Sequence, residues 1–364
     1  MKHNWMQALG ALVLCAVLLT GCTLSGGTPA DSTASADPLT GQELLYPGQR
    51  IAAVVIDNSA SSAPQWGIGS ASVVLEALTA ADAAPSLCLV YPSLQAMPTV
   101  GPVTLGEDLY WRLLSGQQVL PIQRGAGQYT RNYLEYYNIR AVDALEVGRN
   151  AFSSGTEWAT NPAWRTSGAD AAAVLPDLGI SSALSSITLA SSAAASETEP
   201  DTPVVPPLLP LQMNGRLPDA DAADAVRVTV NFQSLGSTGF VYQAEQSTYA
   251  MLHADGTPQT DANTGQQAAF DNLLILYSTS TLRDDERTLD YDLSMGGGVW
   301  LNGGHLWHIT WTQGTDSTFA LYDSDGRPLT LESGRSYIAL LSSLTGQELA
   351  VQSSAGEDLL AVEE

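Results

Sequence analysis

Apolar residues in the first half of the chain form short continuous runs that alternate with stretches of helical spacing. The runs at 51–56, 86–91 and 119–123 predict strands buried on both faces. The stretches at 70–78, 105–114 and 129–137 repeat apolar side chains every three or four positions, which predicts helices. Strands that alternate with helices predict a layered α/β domain, which we assign to residues 47–188.

The second half changes to many short strand-like segments separated by turn residues. Asp255-Gly256, Asn302-Gly303-Gly304 and Asp325-Gly326 supply the positive φ that tight hairpins need. We therefore predict a mostly antiparallel, β-rich domain over residues 226–351, and a mixed α/β and α+β fold for the whole chain. The predicted strands are 226–230, 248–253, 273–277, 288–293, 305–311, 319–322 and 337–341.

Three further segments lack a pattern that could build a core. Residues 22–46 are rich in Ser, Thr, Ala, Asp and Pro, and we expect a flexible tether there. Residues 189–225 combine Ser and Ala with a run of prolines and then aspartates, which predicts an extended linker. Residues 352–364 are predicted to be an acidic tail.

The amino terminus resembles a bacterial lipoprotein signal. Lys2 precedes the apolar run 8–19, which is too short to span a bilayer as a stop-transfer helix. Leu19-Thr20-Gly21-Cys22 then resembles the lipobox, which implies cleavage after residue 21 and a diacylglyceryl thioether on Cys22. Acyl chains such as palmitate would hold the protein on the outer face of the cell membrane. The alternative is an ordinary signal peptide with an incidental cysteine.

Charge and cysteine content exclude several classes of protein. The chain has 38 acidic and 14 basic residues, a net charge of −24, and its only lysine is Lys2. Such a chain repels phosphate backbones, so we expect no nucleic-acid partner. Cys15, Cys22 and Cys88 cannot form a disulfide framework or a cysteine-rich zinc site, and Cys88 lies within an apolar strand where a thiol stays inert. We predict no cofactor and no metal site.

Polar residues after the first predicted strand form the best candidate site. Asp57 and Asn58 follow that strand, and Glu76 lies on the next predicted helix and could face them. Two carboxylates with separated pKa values could act as acid and base or bind a hard cation, with Gln65 or Arg124 nearby. Alternatively, Asp57 caps backbone amides of its loop and Glu76 pairs with an arginine.

Other polar motifs admit simpler explanations. The loop Arg124-Gly125-Ala126-Gly127 could be an anion nest or an ordinary glycine turn. His305 and His308 have an odd spacing that places them on opposite faces of a strand, and Trp307 and Trp311 suit a β-domain core better than an exposed sugar platform. The segment 323–326 begins like a calcium loop but has Gly334 at its twelfth position, so we predict a hairpin turn.

Both halves contain short motifs that occur together in one known family. In the first half these are Asp37-Pro38-Leu39-Thr40-Gly41, Ile56-Asp57-Asn58, Pro64-Gln65 with Gly67, Val74-Leu75-Glu76-Ala77 and Gly101-Pro102-Val103. In the second half they are Tyr249, Asp255-Gly256-Thr257-Pro258, Asp261 with Thr264-Gly265, Gly296-Gly297-Gly298, Ile309-Thr310-Trp311 and Tyr322-Asp323 with Asp325-Gly326. The chain thereby resembles the YerB-like lipoprotein family, which is defined by a two-part domain of unknown function. The resemblance implies an α/β front domain, a β-rich back domain and a lipid anchor, but no reaction.

Three segments depart from the family pattern. Glu107 and Asp108 stand where relatives usually carry basic residues, Arg124 stands where they place a histidine, and 161–167 replaces a His-Asn and Tyr-Thr stretch. Like charges about 4 Å apart repel by roughly 4 kcal/mol at an effective dielectric of 20. If the family's basic groups hold an anion, Glu107 and Asp108 would repel it here, and we infer that any ancestral ligand site is altered or lost in this chain.

These observations favour a lipid-anchored extracytoplasmic protein that binds or scaffolds an envelope protein or glycan without catalysis. The alternative is an extracytoplasmic hydrolase or transferase that acts on cell-wall material through Asp57 and Glu76. A solute-capture protein for a transporter is a third possibility, but it would have two similar α/β lobes, whereas the two halves here differ.

Replacing Cys22 by alanine removes the thiol that the lipid would modify. We expect Cys22→Ala to move from the membrane fraction to the medium, because nothing else in the tether would hold it at a bilayer. Immunoblotting of cell fractions would measure this, with Cys15→Ala as the matched control that stays on membranes. Continued sedimentation of Cys22→Ala with membranes would contradict the prediction.

Overall fold

β-Strands dominate the first half of the protein. The computed structural model describes residues 36–154, 164–185, 205–213, 223–314, 318–342 and 346–360. The strands of the first half are β1 (Ala52–Asp57), β2 (Val73–Ala77), β3 (Ser86–Tyr91), β4 (Val100–Val103), β5 (Leu120–Gln123), β6 (Val142–Asp143), β7 (Ser153–Ser154) and β8 (Trp164–Thr166). The α-helices are α1 (Asp108–Leu113), α2 (Gln128–Tyr136), α3 (Ala144–Val147) and α4 (Gly168–Leu178). Short 3₁₀ helices cover Ala60–Ser62, Leu94–Ala96, Ser115–Gln117 and Gly148–Asn150.

The described second half consists of strands and one 3₁₀ turn at Gln233–Leu235. Its predicted strands and glycine turns are confirmed, with positive φ at Gly256, Gly303, Gly304 and Gly326. The strands are β9 (Leu211–Gln212), β10 (Ala223–Asp224), β11 (Arg227–Asn231), β12 (Ser237–Gln243), β13 (Thr248–Leu252), β14 (Ala269–Phe270), β15 (Asn272–Ser278), β16 (Ser280–Leu282), β17 (Leu289–Tyr291), β18 (Met295–Asn302), β19 (His305–Gln313), β20 (Phe319–Tyr322), β21 (Pro328–Leu329), β22 (Leu331–Glu332), β23 (Ser336–Ser342) and β24 (Glu348–Gln352).

The fold is strongly β-rich, so the α/β class predicted for the first half is confirmed only in part. Parallel strands β5 and β6 are joined through α2, and β5 also lies parallel to β1, as a layered α/β domain requires. The helix predicted at 70–78 is wrong, because Val73–Ala77 forms strand β2 and all five of its residues are buried. An apolar stripe at positions 73, 74, 77 and 78 also fits a strand buried on both faces.

One sheet passes through both halves of the chain. Its order is β21-β20-β19-β18-β15-β23-β2-β3-β1-β4-β8-β7. Strand β23 is parallel to both its neighbours: Tyr337 pairs with Val74 of β2, and Ile338 pairs with Leu274 of β15. A second sheet has the order β14-β13-β12-β11-β24. The two predicted domains therefore share a central strand, and residues 35–364 group as one unit.

The described parts of the predicted tether and linker contribute to this fold. Leu39 is fully buried, and the Asp37 carboxylate accepts hydrogen bonds from the backbone N–H groups of Leu39 and Thr40 at 2.9 and 3.0 Å. The prediction of a flexible tether is therefore wrong for residues 36–46. Leu208 and Leu209, within the predicted linker, are also buried. Residues 1–35 lie outside the described part of the chain, and so does the predicted signal at Cys22.

Buried polar side chains join the two halves beside the shared sheet. Gly67 has a φ of +92°, which favours glycine, and its N–H lies 3.2 Å from the Asp261 carboxylate. The same carboxylate accepts from the Gly69 N–H at 2.7 Å. The Arg335 guanidinium donates to the carbonyls of Ile68, Ala71 and Ala269 at 2.9, 2.8 and 2.7 Å. Asp261 and Arg335 thereby hold the segment before β2 against the second half.

Substituting Asp261 by alanine would leave the Gly67 and Gly69 N–H groups buried without an acceptor. We expect the free energy of unfolding to fall by about 3 kcal/mol, since unpaired buried donors are costly. Urea unfolding monitored by tryptophan fluorescence would measure this. Asp325→Ala is the control, because Asp325 makes an exposed ion pair with Arg327 at 2.6 Å and should change stability by less than about 0.5 kcal/mol. Equal losses in the two variants would contradict the role of Asp261.

Candidate functional site

The loop that follows β1 forms one wall of a cleft, and Asp57 organises that loop. Its Oδ1 accepts a hydrogen bond from the Ser59 N–H at 2.8 Å, and its Oδ2 accepts from the Ser62 hydroxyl. Gln65 is 1% exposed, donates to the Ser59 carbonyl at 3.3 Å and accepts from the Gln259 amide at 3.1 Å. In this structure both side chains hold the loop in place, as the capping alternative for Asp57 expected.

Glu76 is a buried carboxyl on the central sheet. It is 1% exposed, its Oε1 accepts from the Thr238 hydroxyl at 2.9 Å, and its Oε2 accepts from the Tyr337 hydroxyl. Burial raises the pKa of Glu76 to about 7, although the hydrogen bonds from Tyr337 and Thr238 oppose that shift. Its hydrogen-bond partners are thus hydroxyl groups of the second half rather than the arginine that the structural alternative proposed.

Asn58 and Glu76 meet in a cleft of about 430 Å³, here named the Asn58 cleft. Residues from both halves line it, including Asn58, Glu76, Pro85, Thr238, His253 and Asp255. The Asn58 side-chain oxygen is buried and has no hydrogen-bond donor within the described residues. A buried carbonyl oxygen without a partner is uncommon in folded proteins, and the residue that carries it lines a cleft large enough for a small ligand.

The protonation states of His253 and Asp255, which line the Asn58 cleft, follow from their surroundings. Desolvation lowers the pKa of His253 and outweighs the opposing influence of Asp255, so the imidazole is neutral at pH 7. The Asp255 carboxylate accepts from the Thr257 hydroxyl and N–H at 2.6 and 2.9 Å, and these hydrogen bonds lower its pKa. No arginine is among the residues described as lining the cleft. Apart from His253, the titratable side chains described as lining the cleft are therefore the carboxyls Glu76 and Asp255.

Arg124 is not among the described residues that line the Asn58 cleft. In the loop after it, Gly125 has a φ of +73° and its N–H donates to the Asp143 carboxylate at 2.8 Å, while the Arg124 N–H donates to the Thr104 carbonyl at 2.8 Å. Asp143 also accepts from the Leu145 N–H at 2.9 Å and from the Gln123 amide at 3.1 Å. Successive N–H groups therefore do not converge on one anion, and the loop is a glycine turn closed by the chain's own carboxylate.

The acidic pair that departs from the family pattern is neutralised in part by arginines. The Asp108 carboxylate accepts two hydrogen bonds from Arg283, at 3.1 and 2.7 Å, and lies 3.8 Å from Arg112. Burial, followed by the charge of Asp108, raises the pKa of Glu107 to about 7. Asp108, one of the two acids that we expected to repel an anion, thus pairs with Arg283 of the second half and Arg112 of α1.

The remaining candidate motifs are structural where the structure describes them. Asp323 accepts from the N–H groups of Asp325 and Arg327 at 2.9 and 2.8 Å, which confirms the predicted hairpin turn. Trp311 is 1% exposed and belongs to the core, as predicted. Cys88 is fully buried, and this burial raises the pKa of its thiol. No group of three or more metal-ligating side chains was found among the described residues.

Sequence pattern offered no reason to select Thr238, Tyr337 or His253. Thr238 lies in an alternating strand, where a polar residue is ordinarily assigned to the solvent face, and Tyr337 begins an apolar run whose tyrosine is ordinarily assigned to the core. His253 directly precedes the Asp255-Gly256 turn, and that turn was the one available signal for it.

The β-rich sheet that both halves share, together with the family-like motifs in each half, defines a protein with a two-part domain. Residues 39–175 match the family described as "Protein of unknown function (DUF3048) N-terminal domain", and residues 228–338 match "Protein of unknown function (DUF3048) C-terminal domain". The chain belongs to this DUF3048 family, which confirms the resemblance seen in its motifs.

Similarity to one relative extends over nearly the whole chain. It is 24% identical over 353 residues to the Bacillus subtilis (strain 168) protein named "Putative lipoprotein YerB", covering 95% of this chain and 98% of the relative. The crystal structure of the Bacillus subtilis YerB protein is similar in fold, with a TM-score of 0.70 at 20% identity over 86% of this chain and 99% of that one. Among the described residues, no helix is both long and apolar enough to cross a bilayer.

The raised pKa of Glu76 predicts a pH-dependent stability that a glutamine would remove. A carboxyl whose pKa rises from 4.5 to about 7 on folding binds more protons in the folded state, so stability falls as the pH rises from about 4.5 to 7. We expect Glu76 to account for a loss of up to about 3 kcal/mol over that range.

Urea unfolding of the wild type and Glu76→Gln at pH 5 and pH 8 would measure this contribution. Glu107 and His253 titrate in both proteins, so the difference between the two pH slopes isolates Glu76. Identical slopes would show that the Glu76 pKa is not raised on folding.

Proposed function

We propose that this protein is lipid-anchored through Cys22 on the outer face of the cell membrane and binds a small ligand in the Asn58 cleft without catalysing a reaction. The lipobox-like residues 19–22 support the anchor, as does the name of the similar Bacillus subtilis protein. The observation that carries the binding role is the buried Asn58 oxygen without a donor, because a ligand would supply the missing hydrogen bond.

The chemistry of the cleft favours a ligand with N–H donors and no negative charge. Asn58, Glu76 and Asp255 all offer oxygen acceptors, and no cationic side chain is among the described lining residues. The net charge of −24 adds a long-range attraction for cations. A small amine fits this set of groups better than a carboxylate or a phosphate does.

A catalytic role is supported less well. The pKa of Glu76, about 7, would suit a general acid, which is the observation in favour of a hydrolase or transferase acting on wall material. The Asp57 carboxylate, however, is engaged by Ser59 and Ser62 of its own loop. Release of soluble fragments from purified peptidoglycan by the wild type, and its loss in the Asp57→Ala/Glu76→Ala double variant, would favour the enzyme.

Isothermal titration calorimetry with spermidine and ethanolamine, and with acetate as the anionic comparison, tests the binding role. We expect the amines to bind and acetate to bind at least tenfold more weakly. Asn58→Ala should weaken amine binding about five- to tenfold, the effect of one lost hydrogen bond. Asn150→Ala, at an exposed asparagine outside the cleft, is the control and should bind as the wild type does.

Stability measurements separate a binding role from a structural one. Because the Asn58 oxygen has no partner, its removal should leave the melting temperature unchanged or raise it. A lower melting temperature for Asn58→Ala together with unchanged amine binding would assign Asn58 to the fold and refute the proposed site.

A further inference from the structure

A second cleft lies beside α2 and has a different chemical character. It encloses about 740 Å³, and Arg50, Trp111, Gln118, Tyr133, Tyr137 and Arg140 are among its lining residues; it is named here the Tyr137 cleft. The Gln118 side chain holds Ser185 in place: its amide donates to the Ser185 carbonyl at 3.0 Å and its oxygen accepts from the Ser185 N–H at 3.1 Å. The walls are thus fixed by hydrogen bonds within the chain.

The charge of this cleft contrasts with that of the chain. Arg50 and Arg140 line it, and no aspartate or glutamate is among the residues described as lining it. The chain as a whole has 38 acidic and 14 basic residues. The Arg140 guanidinium lies 3.4 Å from the Glu146 carboxylate, and both side chains are more than half exposed. Because such an exposed ion pair is weak, an anionic ligand can replace Glu146 as the partner of Arg140.

Hydrogen-bond donors in the cleft exceed the acceptors that the protein gives them. The Arg50 guanidinium donates to the carbonyls of Gln118, Val119 and Ser181 at 2.8, 2.7 and 3.1 Å. A guanidinium has five N–H groups, so these three bonds leave two. Trp111 is 1% exposed, and its buried indole N–H has no acceptor within the described residues. A ligand rich in oxygen acceptors would complement these donors.

Two aromatic rings complete the cleft. Tyr133 and Tyr137 have ring centroids 4.7 Å apart, and Tyr137 is 59% exposed. Exposed tyrosine rings next to fixed polar groups suit a ligand that has both an apolar ring face and polar edges. A saccharide ring has these two surfaces, and a carboxylate on it would pair with the arginines.

We propose that the Tyr137 cleft binds an acidic glycan, a saccharide whose rings carry carboxylates. The sugar ring packs on Tyr137, its carboxylate faces Arg140 and the free N–H groups of Arg50, and an oxygen accepts from the Trp111 indole. This site uses none of the residues of the Asn58 cleft, so it does not depend on the amine-binding role proposed above.

Calorimetry with a hexamer of galacturonate as the probe tests this assignment, with maltohexaose as the neutral comparison. We expect the acidic hexamer to bind at least tenfold more tightly than maltohexaose and to weaken in 0.5 M salt, because the arginines supply part of the affinity. Equal affinity for the two saccharides, tighter binding of a thymidine decanucleotide, or no binding of the acidic hexamer would overturn the proposal.

Substitutions of two tyrosines provide matched control variants. Tyr137→Ala should weaken hexamer binding about five- to tenfold, while Tyr137→Phe keeps the ring and should bind as the wild type does. Tyr322→Ala is the control, because Tyr322 lies on β20 and is not among the residues described as lining the cleft. Equal effects of Tyr322→Ala and Tyr137→Ala would contradict the site.

Variants of Arg140 and of the Asn58 cleft give two further comparisons. Arg140→Gln should remove most of the preference for the acidic over the neutral hexamer, whereas Arg131→Gln, at an exposed arginine of α2 that is not among the described lining residues, should retain it. Asn58→Ala should leave hexamer binding unchanged, which separates failure of this site from failure of the amine site. Loss of hexamer binding in Asn58→Ala would contradict the independence of the two clefts.

Discussion

Strand β23 is the constraint on which the rest of the structure depends. All seven of its residues are buried, and it lies parallel to β2 on one side and to β15 on the other. Parallel pairing requires long connections, so the sheet cannot close until residues 336–342 reach the centre. Without β23, each half would expose the edge of a buried apolar strand, which is an aggregation risk. Two blocks that differ in sequence pattern therefore form one structure.

Many of the motifs that resemble the family lie where the two halves meet. Asp261 receives the N–H groups of Gly67 and Gly69, and Gln65 bonds to Gln259. These contacts join residues about two hundred positions apart in sequence, because they close the segment between β1 and β2 onto the second half. A family motif can thus mark a fold contact rather than a ligand contact. Gln65 illustrates this, since it connects the Ser59 carbonyl in the loop of the Asn58 cleft to Gln259 of the second half.

Local sequence pattern predicted most strands and two helices, because apolar runs and glycine turns depend on neighbouring residues alone. It failed at 70–78, where a stripe of valine and leucine fits a buried strand as well as a helix. It also failed at 36–46, where a polar composition concealed the Asp37 turn and the buried Leu39. Asn58 and Glu76 line the same cleft, but the partners of Glu76 lie 162 and 261 positions away. Pairings over such distances are set by sheet register, which no local pattern encodes.

Glu76 connects the closing of the sheet to the chemistry of the Asn58 cleft. Tyr337 belongs to β23, and its hydroxyl bonds to Glu76 on β2, so the floor of the cleft forms only when the central strand is in place. Replacing Glu76 by an apolar side chain would remove the buried acceptor that the Tyr337 and Thr238 hydroxyls share. The acceptors of this cleft and the donors of the Tyr137 cleft are therefore both products of long-range packing. The opposite chemical character of the two clefts is the basis of the two binding proposals.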